Sequence, residues 1–214
     1  MMYKMKTLQY IWVCFCVLPL FISCDTKQDW IDTGVASPYH DCSIMEYLRG
    51  DKYNWELTVE MIERAGLTDI FEGTNSDCKE ITFFAPPSYS VLRYLWDNDM
   101  EAVSELSPEF CREMLLKHIV KGKILKSDIA YRNPDYLIID SKQNGGTEIV
   151  CLGGNVLKAY VDKSSYNGVP DVGPETMFLY SLSIRDNVPL ATPDIQPLNG
   201  VVHALNYNYV LGKI

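Results

Sequence analysis

The chain has 214 residues, of which 47% are hydrophobic, enough for one domain with a buried core. It carries 28 acidic against 19 basic residues, a formal net charge of −9. That balance excludes nucleic acid as a partner, because phosphates require a basic surface, and it leaves no polybasic patch for anionic lipid.

The first 23 residues have the composition of an export signal. Lys4 and Lys6 precede an unbroken apolar run over residues 11–22. A helix of twelve residues is about 18 Å long, well short of the roughly 30 Å hydrocarbon core of a bilayer. The pattern therefore predicts a cleaved signal over residues 1–23 rather than a membrane-spanning helix.

Ser23 and Cys24 close the apolar run. This ending resembles the lipobox of bacterial lipoproteins, in which the cysteine is acylated and becomes the new N-terminus, although Phe21 stands where Leu is usual. The resemblance implies a membrane-anchored lipoprotein of the bacterial cell envelope, at the outer membrane and facing the periplasm or the exterior. The alternative is an ordinary cleaved signal followed by a chance cysteine. Residues 24–41 are polar and predict a lipidated tether.

Helices are predicted in the first half of the folded part, residues 42–214. Ser43 and Glu46 have the capping-box form, and an apolar stripe at helical spacing follows Asn54. Helix starts are expected at Ser43, Asn54, Ser88 and Ser107, and helix ends at Gly66 and Gly122.

Short β-rich segments prevail after Gly122. One strand is predicted before Gly122, at residues 81–85, and five after it, at residues 136–139, 148–152, 156–161, 177–184 and 201–205. Two segments rich in proline and glycine, 163–174 and 185–198, are predicted as long loops. This order predicts an α+β domain, with helices in the N-terminal half packed on a β-rich C-terminal half.

Four cysteines remain beyond the signal and Cys24. They are Cys42, Cys78, Cys111 and Cys151. Four cysteines in an exported protein allow three pairings, and the sequence does not choose among them. The spacings fit no metal site, and burial as small hydrophobic residues is the alternative to disulfides.

Four segments form an ordered set of motifs. They are residues 66–71 (GLTDIF), 81–86 (ITFFAP), 115–124 (LLKHIVKGKI) and 199–206 (NGVVHALN). Together they resemble the fasciclin (FAS1) family, with its "TVFAPT" strand, its "LLxHVVxGKI" helix end and its "NGVVHxID" strand. The resemblance covers residues 43–211 and implies a single FAS1-like domain. It also implies that His118, Asn199, Gly200 and His203 are structural residues.

The chain departs from the family at the residues tied to integrin adhesion. The adhesive Tyr-His pair is replaced by Lys117 and His118, and Asn206 replaces an acidic residue. The Tyr39–His40 dipeptide falls in the predicted tether. Integrin recognition is therefore not expected.

The sequence contains none of the common catalytic, phosphate-binding or dinucleotide motifs. His118 and His203 are candidate bases or ligands, but neither has a marked partner, and a core histidine is the commoner case. We expect no catalytic residue, no metal and no cofactor.

The expected function is adhesion or binding of an envelope protein, a host surface or a glycan. The candidate binding loop is 163–174, with Tyr166 and Asn167. One alternative is an accessory lipoprotein of an outer-membrane glycan-uptake complex. A second is an enzyme of unrecognised type.

Overall fold

The computed structural model describes residues 37–214. The predicted signal, the predicted lipidation site at Cys24 and most of the predicted tether lie outside the described residues. No helix within the described part of the chain is long and apolar enough to cross a membrane.

Five α-helices lie in the N-terminal half of the described residues. They are α1 (Ile44–Gly50), α2 (Lys52–Arg64), α3 (Thr68–Glu72), α4 (Ser88–Asp97) and α5 (Pro108–Leu116). Ser43 and Glu46 form the predicted capping box at the start of α1. The cap of α2 is Asp51 rather than Asn54, because the Asp51 carboxylate accepts a hydrogen bond from the Asn54 amide at 3.2 Å.

The last helix, α5, was predicted to end at Gly122, but it ends six residues earlier. It stops at Leu116, and residues Ile119–Lys121 form strand β3 instead. Ile119 pairs with Phe83 of the neighbouring strand. Tertiary pairing of β-branched side chains overrides the helical spacing there.

Eight strands within residues 37–214 form one sheet. They are β1 (Tyr39–His40), β2 (Ile81–Ala85), β3, β4 (Thr147–Val150), β5 (Val156–Lys163), β6 (Glu175–Ser181), β7 (Asp186–Pro197) and β8 (Gly200–Leu205). Their order is β3-β2-β8-β7-β6-β5-β4, with β1 parallel to β7. The Leu152 amide, just beyond β4, donates to the Ile119 carbonyl of β3 at 2.7 Å. The sheet therefore comes close to closing into a barrel.

The predicted α+β class, with helices before strands, is confirmed. The secondary structure predicted for two segments was wrong. Residues 185–198 are not a loop but contain β7, whose ladder is interrupted by bulges on both sides of Thr192. Prolines are tolerated in a strand at such interruptions. Residues 136–139 are not a strand, because the amide of buried Gln143 bonds the Asn133 and Tyr136 carbonyls and holds the segment in a turn.

The folded part begins before Cys42. Tyr39 and His40 pair with Gln196 and Pro197 of β7, and the His40 ring packs against Tyr47 at 4.6 Å between centroids. Tyr39 and His40, which the sequence placed in the predicted tether over residues 24–41, therefore lie in a strand of the sheet.

The core lies on both faces of the sheet. Alternation along β2 sends Phe83 toward the helices and Phe84 into the barrel. The barrel interior also contains Leu157, Leu179 and Leu205. Apolar burial on both faces ties the helical layer and the barrel into one domain.

Candidate functional site

His118 lies fully buried between the end of α5 and the C-terminal segment. Its Nδ1–H donates to the Met114 carbonyl at 2.7 Å, and its Nε2 accepts from the Tyr209 hydroxyl at 2.8 Å. Burial lowers the pKa of His118 to about 4. The ring is neutral near pH 7, and both nitrogens are occupied.

His203 lies in β8 and is also fully buried, stacked on Phe84 at 5.3 Å between ring centroids. Its Nε2–H donates to the Ile124 carbonyl at 2.9 Å, and its Nδ1 accepts from the Asp194 amide at 3.1 Å. Burial lowers the pKa of His203 as well. These bonds attach β8 to the segment after β3 and to the bulged part of β7.

Asn199 and Gly200 join three elements at the start of β8. The Asn199 side chain accepts from the Ile44 amide at 2.8 Å and donates to the Phe71 carbonyl at 3.0 Å. A Cβ on Gly200 would lie 2.0 Å from the Ile81 carbonyl oxygen, closer than any real contact. The two residues therefore hold the start of β8 close to α1, α3 and β2.

The four described cysteines are free thiols, and all except Cys42 are buried. Burial raises the pKa of Cys151 to about 12, so its thiol is not a nucleophile near neutral pH. Within residues 37–214, no three His, Cys, Asp or Glu side chains cluster as a metal site requires.

The predicted binding loop, 163–174, projects from the hairpin of β5 and β6. Tyr166 and Val169 exchange two backbone hydrogen bonds of 3.0 Å across Asn167 and Gly168, which both have positive φ. This is the geometry of a tight Asn-Gly hairpin turn. Tyr166 is 61% exposed, and Val169 and Val172 are also exposed. The loop thus presents an ordered apolar tip, with Asn167 shaping the turn.

The stem of this loop is held by charged groups. Glu175 accepts from the Tyr131 hydroxyl at 2.7 Å and pairs with Lys126 at 3.2 Å and Lys163 at 3.4 Å. The Tyr131 hydrogen bond and then the two lysines lower the pKa of Glu175 to about 2. The Lys163 ammonium also lies 4.6 Å from the Tyr131 ring centroid. This network fixes where the loop leaves the sheet.

A second surface is a cleft between α2, the start of α4 and the segment after β8. Its volume is about 450 Å³, and its lining includes Tyr53, Tyr89 and Tyr207. These side chains are 92%, 48% and 62% exposed. We call this surface the tyrosine cleft. Asn54, Leu57 and Ser88 also line it, and every lining residue is uncharged.

Hydrogen bonds connect the walls of the tyrosine cleft. The Ser88 hydroxyl, at the start of α4, accepts from the Leu57 amide of α2 at 3.1 Å. The Arg93 guanidinium lies 5.0 Å from the Tyr89 ring centroid and donates to the Tyr207 and Asn208 carbonyls at 3.4 and 3.1 Å. The three walls are therefore held together by specific contacts.

The tyrosine cleft was not predicted from the sequence. One available signal was Tyr53, which lies off the face of α2 that buries Trp55 and Ile62. Another was Tyr207, between Asn206 and Asn208, just beyond the last strand. Neither signal brings the three rings together without the fold.

The structure is similar to that of a FAS1 domain pair from the insect cell adhesion molecule Fasciclin I, with a TM-score of 0.48 and 17% sequence identity. The similarity covers 79% of this chain and 45% of that chain, so the chain spans about half the length of that solved structure. No protein-family model matches the sequence, and no curated protein matches it.

Proposed function

We propose that the chain is a lipid-anchored, fasciclin-type adhesion domain of the bacterial cell envelope that binds a partner without catalysis. The family assignment is supported by the positions of three sequence motifs. Strands β2, β3 and β8 each contain part of a different motif, and they are neighbours in the sheet. Segments far apart in sequence thus form one continuous structural unit.

The observation that carries the binding role is the ordered apolar tip of the loop 163–174. Exposed Tyr166, Val169 and Val172 contribute nothing to the core. The loop is closed at its base by the Ser164 amide, which donates to the Pro174 carbonyl at 3.1 Å. A loop that is ordered before binding loses less entropy when a partner immobilises it. The tip is suited to insert aromatic and aliphatic side chains into a partner protein.

Replacement of residues 164–173 by a short Gly-Ser turn tests this role. The strand pairing of Lys163 with Glu175 is retained, so we expect the melting temperature to change little. We expect capture of an envelope partner by the full-length protein to fall about ten-fold or more. Tyr166→Ala should give part of that loss, whereas Tyr39→Ala, at the sheet edge and similarly exposed, is the matched control. Undiminished capture by the loop-replaced protein contradicts this assignment.

The lipid anchor rests on the Ser23-Cys24 ending of the apolar run. Cys24→Ser is expected to abolish incorporation of labelled fatty acid and partition with membranes. Absence of label on the wild-type protein would remove the anchor from the proposal and leave the binding surfaces unaffected.

The second candidate function, an accessory lipoprotein in glycan uptake, is favoured by the tyrosine cleft. Exposed aromatic rings around an uncharged cleft suit sugar rings better than charged partners.

A further inference from the structure

We infer that the tyrosine cleft is a carbohydrate-binding site for a neutral oligosaccharide. The inference rests on the proposed non-catalytic binding role, but it concerns a different surface from the loop 163–174. It can therefore fail or succeed independently of that loop.

The electrostatics of the cleft favour an uncharged ligand. Its lining contains tyrosine, asparagine, serine, leucine and proline, although 22% of the chain is charged. No side chain in the lining carries a charge that could pair with a charged ligand. Arg93 lies against the Tyr89 ring and already donates to two backbone carbonyls. These contacts of Arg93 hold the walls of the cleft together.

The shapes of the groups favour sugar rings. A pyranose has apolar C–H faces and an edge of hydroxyl groups. The negative face of an aromatic ring attracts the weakly positive C–H groups, and the tyrosine hydroxyls lie at the ring edge. The Asn54 side chain donates one N–H to the Asp51 carboxylate at 2.6 Å, which orients the amide. Its second N–H and its carbonyl remain for sugar hydroxyls.

Size and rigidity also fit such a ligand. A volume of about 450 Å³ lies within the range of about 300–1,000 Å³ typical of small-molecule sites. The three rings come from three separate segments, an arrangement that suits an oligosaccharide better than a single sugar. The bond from the Leu57 amide to Ser88 and the bond from Arg93 to the Tyr207 carbonyl hold together the segments that carry the rings. Such preorganisation reduces the entropy lost on binding.

A peptide is the competing ligand. Two walls are formed by the first turns of the helices α2 and α4, so the cleft offers no strand edge for β-augmentation. A proline-rich peptide avoids that requirement, because its extended helix docks on aromatic grooves without a strand partner. It is included in the test for that reason.

The test is calorimetric titration of the full-length protein with neutral hexasaccharides. Maltohexaose, cellohexaose, xylohexaose and mannohexaose are used at up to about 5 mM, above the Kd of about 1 mM that marks weak binding. We expect at least one of them to bind. Tyr53→Ala and Tyr207→Ala should each weaken that binding about ten-fold or more. Tyr53→Phe, which retains the ring, should retain most of it.

The matched control is Tyr166→Ala, which removes an equally exposed tyrosine from the loop. Tyr166 is 61% and Tyr207 62% exposed, so the two alanine variants lose a similar amount of non-specific contact with the sugar. Melting curves of all variants verify folding, and Tyr53 is exposed enough that its removal should leave the curve unchanged.

Three results overturn the inference. They are failure of every hexasaccharide to bind, equal binding by the cleft variants and the wild type, and loss of binding only in Tyr166→Ala. A deca-proline peptide that binds more tightly than the sugars, and is lost with Tyr53→Ala, assigns the cleft to a protein partner instead. Loss of partner capture on replacement of the loop remains a separate result, so failure at the cleft is distinguishable from failure of the proposed function.

Discussion

Acidification from about pH 7.5 to pH 5 should destabilise the domain through its buried histidines. In the folded state, His118 donates from Nδ1 to the Met114 carbonyl and accepts at Nε2 from the Tyr209 hydroxyl. Protonation of Nε2 converts that acceptor into a donor facing a donating hydroxyl. The proton would also bring a charge into a fully buried position.

The sign follows from the two pKa values. The pKa of His118 is about 4 in the folded protein and about 6.5 in the unfolded chain. Between these values the unfolded chain binds more protons, so the free energy of unfolding falls as pH falls. The contribution of neutral His118 to the free energy of unfolding is fully present well above pH 6.5. Protonation of the unfolded chain lowers the free energy of unfolding by about 2 kcal/mol by pH 5. The lowered pKa of His203 acts in the same direction.

Urea unfolding at several pH values between about 7.5 and 5 measures this loss, which corresponds to a fall of about 4–8 °C in Tm for His118 alone. His118→Asn retains an N–H near Nδ1 but cannot titrate, so its stability should be lower at neutral pH and depend less on pH. His40→Gln, which leaves both core histidines in place, is the control and should retain the wild-type slope. Equal slopes for the wild type and His118→Asn would refute the assignment of His118 as a buried neutral group.

Three further substitutions test the structural contacts. Tyr209→Phe leaves the Nε2 of His118 without its donor and should cost about 1–3 kcal/mol of unfolding free energy in urea denaturation. Asn199→Asp retains the acceptor but loses the donor of that side chain, and a loss of about 1–3 kcal/mol is expected from the same assay. Gly200→Ala places a methyl group against the Ile81 carbonyl and should cost at least about 3 kcal/mol, visible as a lower Tm by circular dichroism. A wild-type Tm for this last variant contradicts the close approach of β8 to β2.

Most helices and strands were predictable because their signals are local. The capping box at Ser43 and the glycine turn between β4 and β5 are read from a few adjacent residues. Strand β7 was not predictable in this way, since Pro189, Pro193 and Pro197 are typical of loops. Its pairing depends on bulges and on β1, β6 and β8, which are separate in sequence. Tertiary partners, rather than local propensity, make it a strand.

The two candidate surfaces differ in the same respect. The loop 163–174 was found because Asn167 and Gly168 mark a turn within one segment. The tyrosine cleft joins Tyr53, Tyr89 and Tyr207, and only the packing of α4 on α2 and the Arg93 bonds bring them together. No periodic pattern in the sequence shows which residues lie near an exposed tyrosine in the folded chain.

The occupied state of the histidines explains why surface sites are the stronger functional candidates. A general base must offer a free nitrogen to its substrate and hold a pKa near the working pH. His118 would first have to release the Tyr209 hydroxyl, and His203 the Asp194 amide, leaving a buried donor without a partner. Both also have lowered pKa values, which weakens them as bases near neutral pH. A partner that binds the loop or the tyrosine cleft breaks no buried hydrogen bond, because the aromatic side chains of both surfaces are exposed. The hydrogen bonds that support these surfaces are made by other groups, Glu175 at the loop and Arg93 at the cleft. Changes at either surface can therefore alter binding without disturbing the core, whereas changes at either histidine should alter stability first.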